Sequence, residues 1–216
     1  MKRNTRVLIP SALLLLTVAV VSLIGHRIIA RQNTKGNLDQ ITTQDAFVRS
    51  LTSARLPGGM VTTSECNPNA KPQKDSLSSP LFESLNRITQ TDPQYKWQNE
   101  RGVINLIPTS GEPDVLKIPI REFRVKNARS LELILEQLLA LPEVQSDAVG
   151  RRVNQGIRFA GLSSPRREPQ LSISIRDATL RDALNAMVRT HGRAVWSYSE
   201  SRCNGQDRFT IDFLVQ

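Results

Sequence analysis

An internal repeat constrains the fold of this chain more than any other feature of its sequence. Residues Leu81–Trp97 align without a gap on Leu180–Trp196, and five of the seventeen positions are identical. The identical pairs are Leu81/Leu180, Leu85/Leu184, Asn86/Asn185, Thr91/Thr190 and Trp97/Trp196. Self-similarity of this kind indicates one supersecondary unit that is used twice. We therefore expect two modules with the same order of helices and strands.

The second copy has the clearer pattern. Apolar and polar residues alternate over Leu171–Arg176, which is the period of a half-buried strand. Thr179 and Asp182 have the spacing of a capping box, and an apolar helical stripe runs over Leu180–Val188 before Gly192 ends the helix. Alternation returns over Ala194–Tyr198 and Phe209–Phe213. The predicted order is strand, helix, strand, strand.

The first copy shows the same order. A short strand begins at Val61, and Ser79–Pro80 supplies an N-cap and a proline for the first turn of a helix. Asp92–Pro93 ends that helix, and a hairpin follows over Tyr95–Ile107 around the polar turn NERG.

A partial third unit lies between the copies. Phe123–Ala128 matches Ile173–Ala178, and a Leu-rich helical stripe follows it until Pro142 stops the helix. The alternation of apolar residues changes phase before Phe123, which predicts a bulge or bend near Arg121.

The N-terminal segment has 19 residues without charge, from Val7 to Gly25, and a membrane-spanning helix needs about 20. Residues 1–35 hold six of the 29 Lys and Arg residues and no Asp or Glu, so the remainder has 23 basic and 20 acidic residues. The net charge of +9 is therefore mainly a membrane-targeting feature and not a nucleic-acid footprint. A retained anchor is favoured, with a cleaved signal peptide as the alternative. In both cases the C-terminal part is exported.

These patterns predict an α+β protein in which an N-terminal transmembrane or signal helix precedes two related β-α-β-β modules joined by a strand-helix unit. We expect a signal anchor or signal peptide at 1–30 and a linker at 31–56, which contains one short helix over Thr43–Ser53. The other expected segments are a first module at 57–110, the strand-helix unit at 111–145, a basic loop at 146–168 and the second module at 169–216.

The second copy, LSISIRDATLRDALNAMVRTHGRAVWSY from Leu171 to Tyr198, resembles the short N-terminal domain of bacterial secretins and TonB-dependent receptors. In that family a strand, a short Asp-containing turn, a Leu-rich helix and a second strand form a small periplasmic module. The resemblance is weaker over residues 80–107, and the pore-forming and barrel domains of the family do not follow here, so channel and receptor activities are not implied. It implies a bacterial inner-membrane protein with a periplasmic or extracytoplasmic C-terminal part, or a secreted one after cleavage, whose modules contact other proteins.

Cys66 and Cys203 lie in the exported part, where a disulfide between them is favoured and two free thiols are the alternative. The bridge would close a loop of 137 residues and would add on the order of 4 kcal/mol of stability in the chain-entropy model. A redox-active pair is not expected, because the two residues do not form a CxxC motif.

Catalytic machinery is not visible in the sequence. His191 is the one candidate base outside the N-terminal segment, and its place at the end of a predicted helix favours an interaction with the helix dipole. The pair Glu132 and Glu136 has the spacing of one helical turn, but a solvated helix face is the simpler interpretation. The spacing of Cys66, Cys203 and His191 does not suit zinc, so neither a metal nor another cofactor is expected.

Two sets of residues are candidates for binding. Trp97 and Trp196 occupy equivalent positions after the two helices, where core packing is the first interpretation and an exposed aromatic anchor for a partner is the second. The basic loop carries five arginines, which would be either a hydrated surface or a site for anionic lipid or cell-wall groups; they are Arg151, Arg152, Arg158, Arg166 and Arg167.

The sequence therefore predicts a non-enzymatic, membrane-tethered or exported envelope protein that binds another protein by adding a strand at a sheet edge. The membrane contact would be Val7 to Gly25, and no nucleic acid is expected as a partner. An envelope hydrolase or redox enzyme with a cryptic site near His191 is the alternative.

Overall fold

The helices and strands follow the repeat along the chain. The structure is a computed structural model, and it describes residues 41–65, 80–150, 170–203 and 206–215. The strands are β1 (Gly58–Glu65), β2 (Tyr95–Glu100), β3 (Val103–Pro108), β4 (Pro119–Ala128), β5 (Leu171–Thr179), β6 (Ala194–Cys203) and β7 (Gln206–Val215). The helices are α1 (Thr43–Ala54), α2 (Leu81–Thr91), α3 (Leu131–Leu139), α4 (Pro142–Gly150) and α5 (Leu180–His191), and a 3₁₀ turn spans Asp114–Lys117. The fold is mixed α+β, as the sequence predicts.

Strands from both copies lie in one five-stranded sheet of order β2-β3-β1-β6-β7. The central strand, β1, is parallel to β3 on one side and to β6 on the other, and its pairing with β6 runs from Gly58↔Val195 to Glu65↔Arg202. The hairpins β2-β3 and β6-β7 complete the sheet by antiparallel pairing. The two copies therefore share a sheet, which the expectation of two modules did not include.

The large sheet is covered on both faces, because successive side chains of a strand point to opposite sides. On one face, Met60 and Ile104 pack with Phe47 and Leu51 of α1 and with Leu85 of α2. On the other face, the buried side chains come from β6, β7, α3, α5 and the β4-β5 pair, and they include Trp196, Tyr198, Phe213, Leu135 and Leu184. Strand β3 is buried at every position, which fits its nearly continuous apolar sequence.

The expected linker at 31–56 is wrong in its second half. Helix α1 has the predicted position, but Phe47 and Leu51 are fully buried against the large sheet. A capping box between Thr42 and Asp45 starts the helix. The compact unit extends from Ile41 to Gln216, so globular structure begins before Pro57.

Strands β4 and β5 form a separate antiparallel pair, and here two details differ from the predictions. The register of β4 is regular at Arg121 and shifts between Val125 and Ala128, so the bulge lies further along the strand than expected. Leu116, expected in a strand, lies in the 3₁₀ turn.

Pro142 does end the Leu-rich helix region, but it also begins α4. That helix extends to Gly150, into the segment that was expected to be a basic loop.

The N-terminal segment Val7 to Gly25 lies outside the described residues. Within the ranges that the structure describes, no helix is both long and apolar enough to cross a membrane.

Matched details support the internal repeat. The indole N–H of Trp97 donates to Asn86 Oδ1 at 3.0 Å, and that of Trp196 donates to Asn185 Oδ1 at 2.8 Å, so each copy joins its helix to the following strand in the same way. The third unit shares a backbone feature with the second copy, because the aligned residues Asn127 and Asp177 both have positive φ values, 53° and 47°. Asn and Asp tolerate this conformation better than most residues.

Candidate functional site

A groove of about 940 Å³ lies beside strand β5. Its lining includes every residue from Ser172 to Ala178. A cavity against one face of a strand would meet every second side chain, because successive side chains alternate. A cavity that touches seven consecutive residues therefore runs along the edge of the strand. Within the described residues, β5 has β4 as its single neighbour, so this edge is open.

The opposite wall of the groove is the polar side of α5. Its lining positions are Arg181, Asp182, Asn185, Ala186, Arg189 and Thr190, which recur at helical spacing and form one face. The end of β2 and the start of the β2-β3 turn, at 99–101, close one side. Arg189 ties this turn to the helix, because its Nε donates to the carbonyl oxygen of Arg101 at 3.1 Å.

A polar network beneath the groove connects the two copies. Asn185 accepts the indole N–H of Trp196 and donates from Nδ2 to Glu100 Oε2 at 3.0 Å. Arg181 forms an ion pair with Glu100, with 2.9 Å between Nη2 and Oε1. Glu100 ends strand β2 of the first copy, whereas the other three residues belong to the second. The network therefore fixes the β2-β3 hairpin of the first copy against α5 of the second copy.

A second carboxylate, that of Glu112, also lies next to Arg181. Its Oε1 is 3.2 Å from Nε of Arg181, and both atoms are buried without a well-aligned hydrogen bond, so this contact is mainly electrostatic. Burial raises the pKa of Glu112 above its usual value, with Glu100 acting in the same direction, and Arg181 opposes the shift. Arg181 thus pairs with two partly buried carboxylates.

Asp182 also lines the groove, but its charge already has a structural role. Its carboxylate accepts hydrogen bonds from the backbone N–H and the hydroxyl of Thr179, at 2.9 and 2.7 Å, and completes the capping box of α5. Burial raises the pKa of Asp182, but these two hydrogen bonds and the nearby Arg181 and Arg101 outweigh burial and hold it below its usual value.

The two candidate tryptophans have different surroundings apart from their shared hydrogen bond. Trp196 is fully buried, so it packs in the core and is not a surface anchor. Trp97 is half-buried, and its ring centroid is 5.6 Å from that of Phe82, which is 54% exposed. Neither tryptophan lines the groove.

Several predicted site residues lie outside the described residues. They are Cys66 and the arginines of the basic loop, Arg151, Arg152, Arg158, Arg166 and Arg167. Cys203 is the last residue of β6, and its side chain is not described. The predicted disulfide and the predicted anionic contact therefore remain predictions.

His191 is the last residue of α5 and is half-buried. Burial lowers its pKa, and Arg193 lowers it further, while Glu132 opposes the shift. The imidazole is therefore mainly neutral at pH 7 and gains little from the dipole of the helix. Its Nδ1 is buried without a hydrogen-bond partner among the described residues, and His191 does not line the groove.

The remaining chemical candidates lie on the surface or do not cluster. Glu136 is exposed and Glu132 is half-buried, so the pair lies on the outer side of α3 as the sequence predicts. In the part of the chain that the structure describes, no group of three His, Cys, Asp or Glu side chains could hold a metal ion.

Glu100 and Arg181, the ion pair that joins the two copies, were not predicted from the sequence. No local pattern distinguishes them, because each is one charge at the border of an amphipathic segment. The repeat did contain one signal: Asn86 and Asn185 are identical helix positions next to an apolar stripe, where a polar residue indicates a side-chain partner. No protein-family model, curated protein or solved structure matches the chain.

Proposed function

We propose that this chain is a non-catalytic envelope protein, tethered to the membrane through Val7 to Gly25 or exported, that binds another protein at an open sheet edge. Its scaffold would be a duplicated module similar to the short N-terminal domain of secretins and TonB-dependent receptors. Strand addition is an established mode of protein recognition, in which main-chain hydrogen bonds supply affinity and side-chain contacts supply specificity.

One observation carries the proposal, namely the groove that runs along the open edge of β5. Ser172 and Ser174 are exposed, while Leu171 and Ile173 anchor the strand in the core. The edge is therefore held in place before any partner arrives, which lowers the entropy cost of binding. The neighbouring polar network keeps the far wall of the groove in position.

Position-specific photocrosslinking in living cells tests this function. A photoreactive phenylalanine would replace Ser174 in the groove of the full-length chain, and Glu136, an exposed residue of α3 outside the groove lining, would serve as the control position. We expect a covalent adduct with one protein from position 174 and none from position 136. Absence of an adduct at position 174, or the same adducts at both positions, would contradict the proposal.

A further inference from the structure

We infer that the groove beside β5 binds an extended acidic segment of a partner protein, which adds to the β4-β5 pair as a third strand. This inference rests on the proposed function and assigns to it one edge and one class of partner.

The two edges of the small sheet differ in how they are protected. Edge strands commonly carry proline, bulges or charged side chains that prevent another strand from pairing. Strand β4 has all three: Pro119 at its start, the register shift between Val125 and Ala128, and four charged residues, which are Arg121, Glu122, Arg124 and Lys126. Strand β5 has no proline, and its two charged residues, Arg176 and Asp177, lie in its second half. The less protected edge is the one that faces the groove.

The groove has the length and the walls that a strand requires. It follows seven consecutive residues of β5, and strands in globular proteins commonly have about 5–6 residues. An incoming strand would lie between this edge and the polar face of α5, within reach of Arg181 and Arg189.

The charge around the groove favours an acidic partner. Seven cationic side chains lie on the β4-β5 strands or in the groove lining, and they are Arg101, Arg121, Arg124, Lys126, Arg176, Arg181 and Arg189. Four carboxylates accompany them, namely Glu100, Glu122, Asp177 and Asp182. Glu112, which pairs with Arg181 from outside the lining, is a fifth carboxylate, so the positive excess is two charges.

The existing contacts leave part of this charge uncompensated. Glu122 is shared by Arg124 at 2.9 Å and Arg176 at 3.3 Å, and both of these pairs are solvent-exposed. Among the described residues, the guanidinium of Arg189 donates to the carbonyl oxygens of Arg101 and Glu100 and not to a carboxylate. A second copy of this chain would bring the same positive excess to the edge, so like-charge repulsion disfavours self-pairing.

Synthetic peptides that alternate Val with either Glu or Lys provide the first test, with the complete protein as the receptor. We expect the Glu peptide to bind and to protect the β5 amides from hydrogen exchange, and the Lys peptide to bind at least about tenfold more weakly, the ratio that 1.4 kcal/mol represents. Equal binding of the two peptides, or no binding of the Glu peptide, would overturn the inference.

N-methylation of the Glu peptide tests the strand geometry. Only alternate N–H groups of an added strand point toward its neighbour, so two peptides methylated at alternate residues in opposite phase must differ. We expect one phase to abolish binding and the other to preserve it. If the two methylated peptides lose binding equally or keep it equally, the contact is purely electrostatic and strand addition is overturned. Comparable binding of an unrelated anionic polymer would have the same meaning.

A charge-matched pair of double variants locates the site. Arg101→Glu with Arg176→Glu removes two groove cations, whereas Arg55→Glu with Arg129→Glu makes the same change in net charge at exposed residues outside the groove lining. Arg101 and Arg55 are also matched in backbone conformation, with φ values of 53° and 55°. We expect the first double variant to bind the Glu peptide about tenfold more weakly and the second to change binding by less than about threefold.

The two levels of the proposal can fail separately. If crosslinking from position 174 still yields a protein adduct but the peptide results fail, the protein-binding function stands and the acidic-strand inference falls. If the groove variant and the control variant weaken peptide binding equally, the peptide does not bind in the groove, and the inference is overturned. Concentration-dependent dimers linked through β5 would overturn it in favour of self-pairing.

Discussion

At the residue scale, one hydrogen bond is repeated in two different environments. The contact from tryptophan to asparagine occurs once on the surface, between Trp97 and Asn86, and once in the core, between Trp196 and Asn185. A buried donor that loses its partner costs more than an exposed one, because water can replace the partner only at the surface.

Replacement of these two asparagines should therefore have unequal effects. We expect Asn185→Ala to lower the free energy of unfolding by about 2–3 kcal/mol, because it leaves the buried Trp196 N–H without a partner and removes one hydrogen bond to Glu100, and Asn86→Ala by less than about 1 kcal/mol. Urea denaturation of both variants measures the difference. Equal losses would contradict the different roles assigned to the two copies.

At Gly59, the packing leaves no room for a Cβ atom. A Cβ on this residue would overlap the indole ring of Trp196, which lies on the paired strand β6. We expect Gly59→Ala to cost about 2–4 kcal/mol, since a central strand and a fully buried ring cannot both move.

Gly102→Ala is the control, because nothing lies within 4 Å of its Cβ position and only its positive φ of 86° opposes the change. Its cost should be near 1 kcal/mol. If thermal unfolding shows that Gly59→Ala costs no more than Gly102→Ala, the close approach to Trp196 is not a constraint.

At the element scale, the start of helix α5 gives a prediction about pH, and the ends of two strands give a prediction about redox state. Helix α5 begins with the capping box between Thr179 and Asp182. The pKa of Asp182 is lower in the folded chain than its usual value, so the stability it contributes is present above about pH 4 and is lost as pH falls through the folded pKa.

The variant Asp182→Asn should therefore be less stable than the natural chain at pH 7, by about 0.5–1 kcal/mol. The difference should shrink in acid, because the carboxylate of the natural chain takes up a proton as pH falls through its lowered pKa. Denaturation curves over a series of decreasing pH values test this, and a constant difference across the series would show that the charge of Asp182 does not support the cap.

The predicted disulfide would connect the ends of β1 and β6. The last pair of these parallel strands is Glu65↔Arg202, and Cys66 and Cys203 are the next residues in the sequence. We expect the exported protein to contain a Cys66–Cys203 bridge, and Cys203→Ser to lower the free energy of unfolding by about 2–4 kcal/mol.

Peptide mapping with and without a reducing agent identifies this bridge directly. The variant Ser201→Ala, two residues earlier in β6, measures the effect of a nearby change that leaves the cysteines in place. Alkylation of two free thiols in protein isolated from the cell envelope would contradict the prediction.

At the scale of the whole molecule, α1 belongs to the fold and not to a linker. Phe47 is completely buried against the large sheet, whereas Phe82, on α2, is 54% exposed. We expect Phe47→Ala to lower the free energy of unfolding by about 3–5 kcal/mol, and Phe82→Ala, which loses mainly its contact with Trp97, by about 0.5–1.5 kcal/mol. Similar losses in chemical denaturation would show that α1 is dispensable.

The sequence predicted local structure well where the signal lies within one helix or one strand. The capping box at Thr179, the helix stop at Gly192 and the hairpin around residues 99–102 depend on contacts between neighbours in the chain. Helix α1 was also placed correctly, but its burial was not predicted, because its apolar residues, Phe47 and Leu51 among them, are scattered in a polar segment. Their partners, such as Met60 and Ile104, become visible only after the sheet has formed.

The candidate site shows the same limit. Its two main walls, β5 and α5, were predicted, and so was binding at a sheet edge in general terms. That β5 keeps an open edge beside α5 could not be predicted, because it depends on β5 pairing with β4 while β1 pairs with β3 and β6. The ion pair between Glu100 and Arg181 joins residues from different copies, so no local pattern indicated it.

The sequence by itself determined the repeated order of strand, helix, strand and strand, the ends of most helices, and the side of each strand that is apolar. These features follow from chain geometry and from side chains a few residues apart. Tertiary structure alone decided that both copies share one sheet around β1, that α1 covers it, and that β5 keeps an open edge beside α5. The reason is physical: strands far apart in sequence can pair in several arrangements, and burial of all the apolar faces together selects one of them.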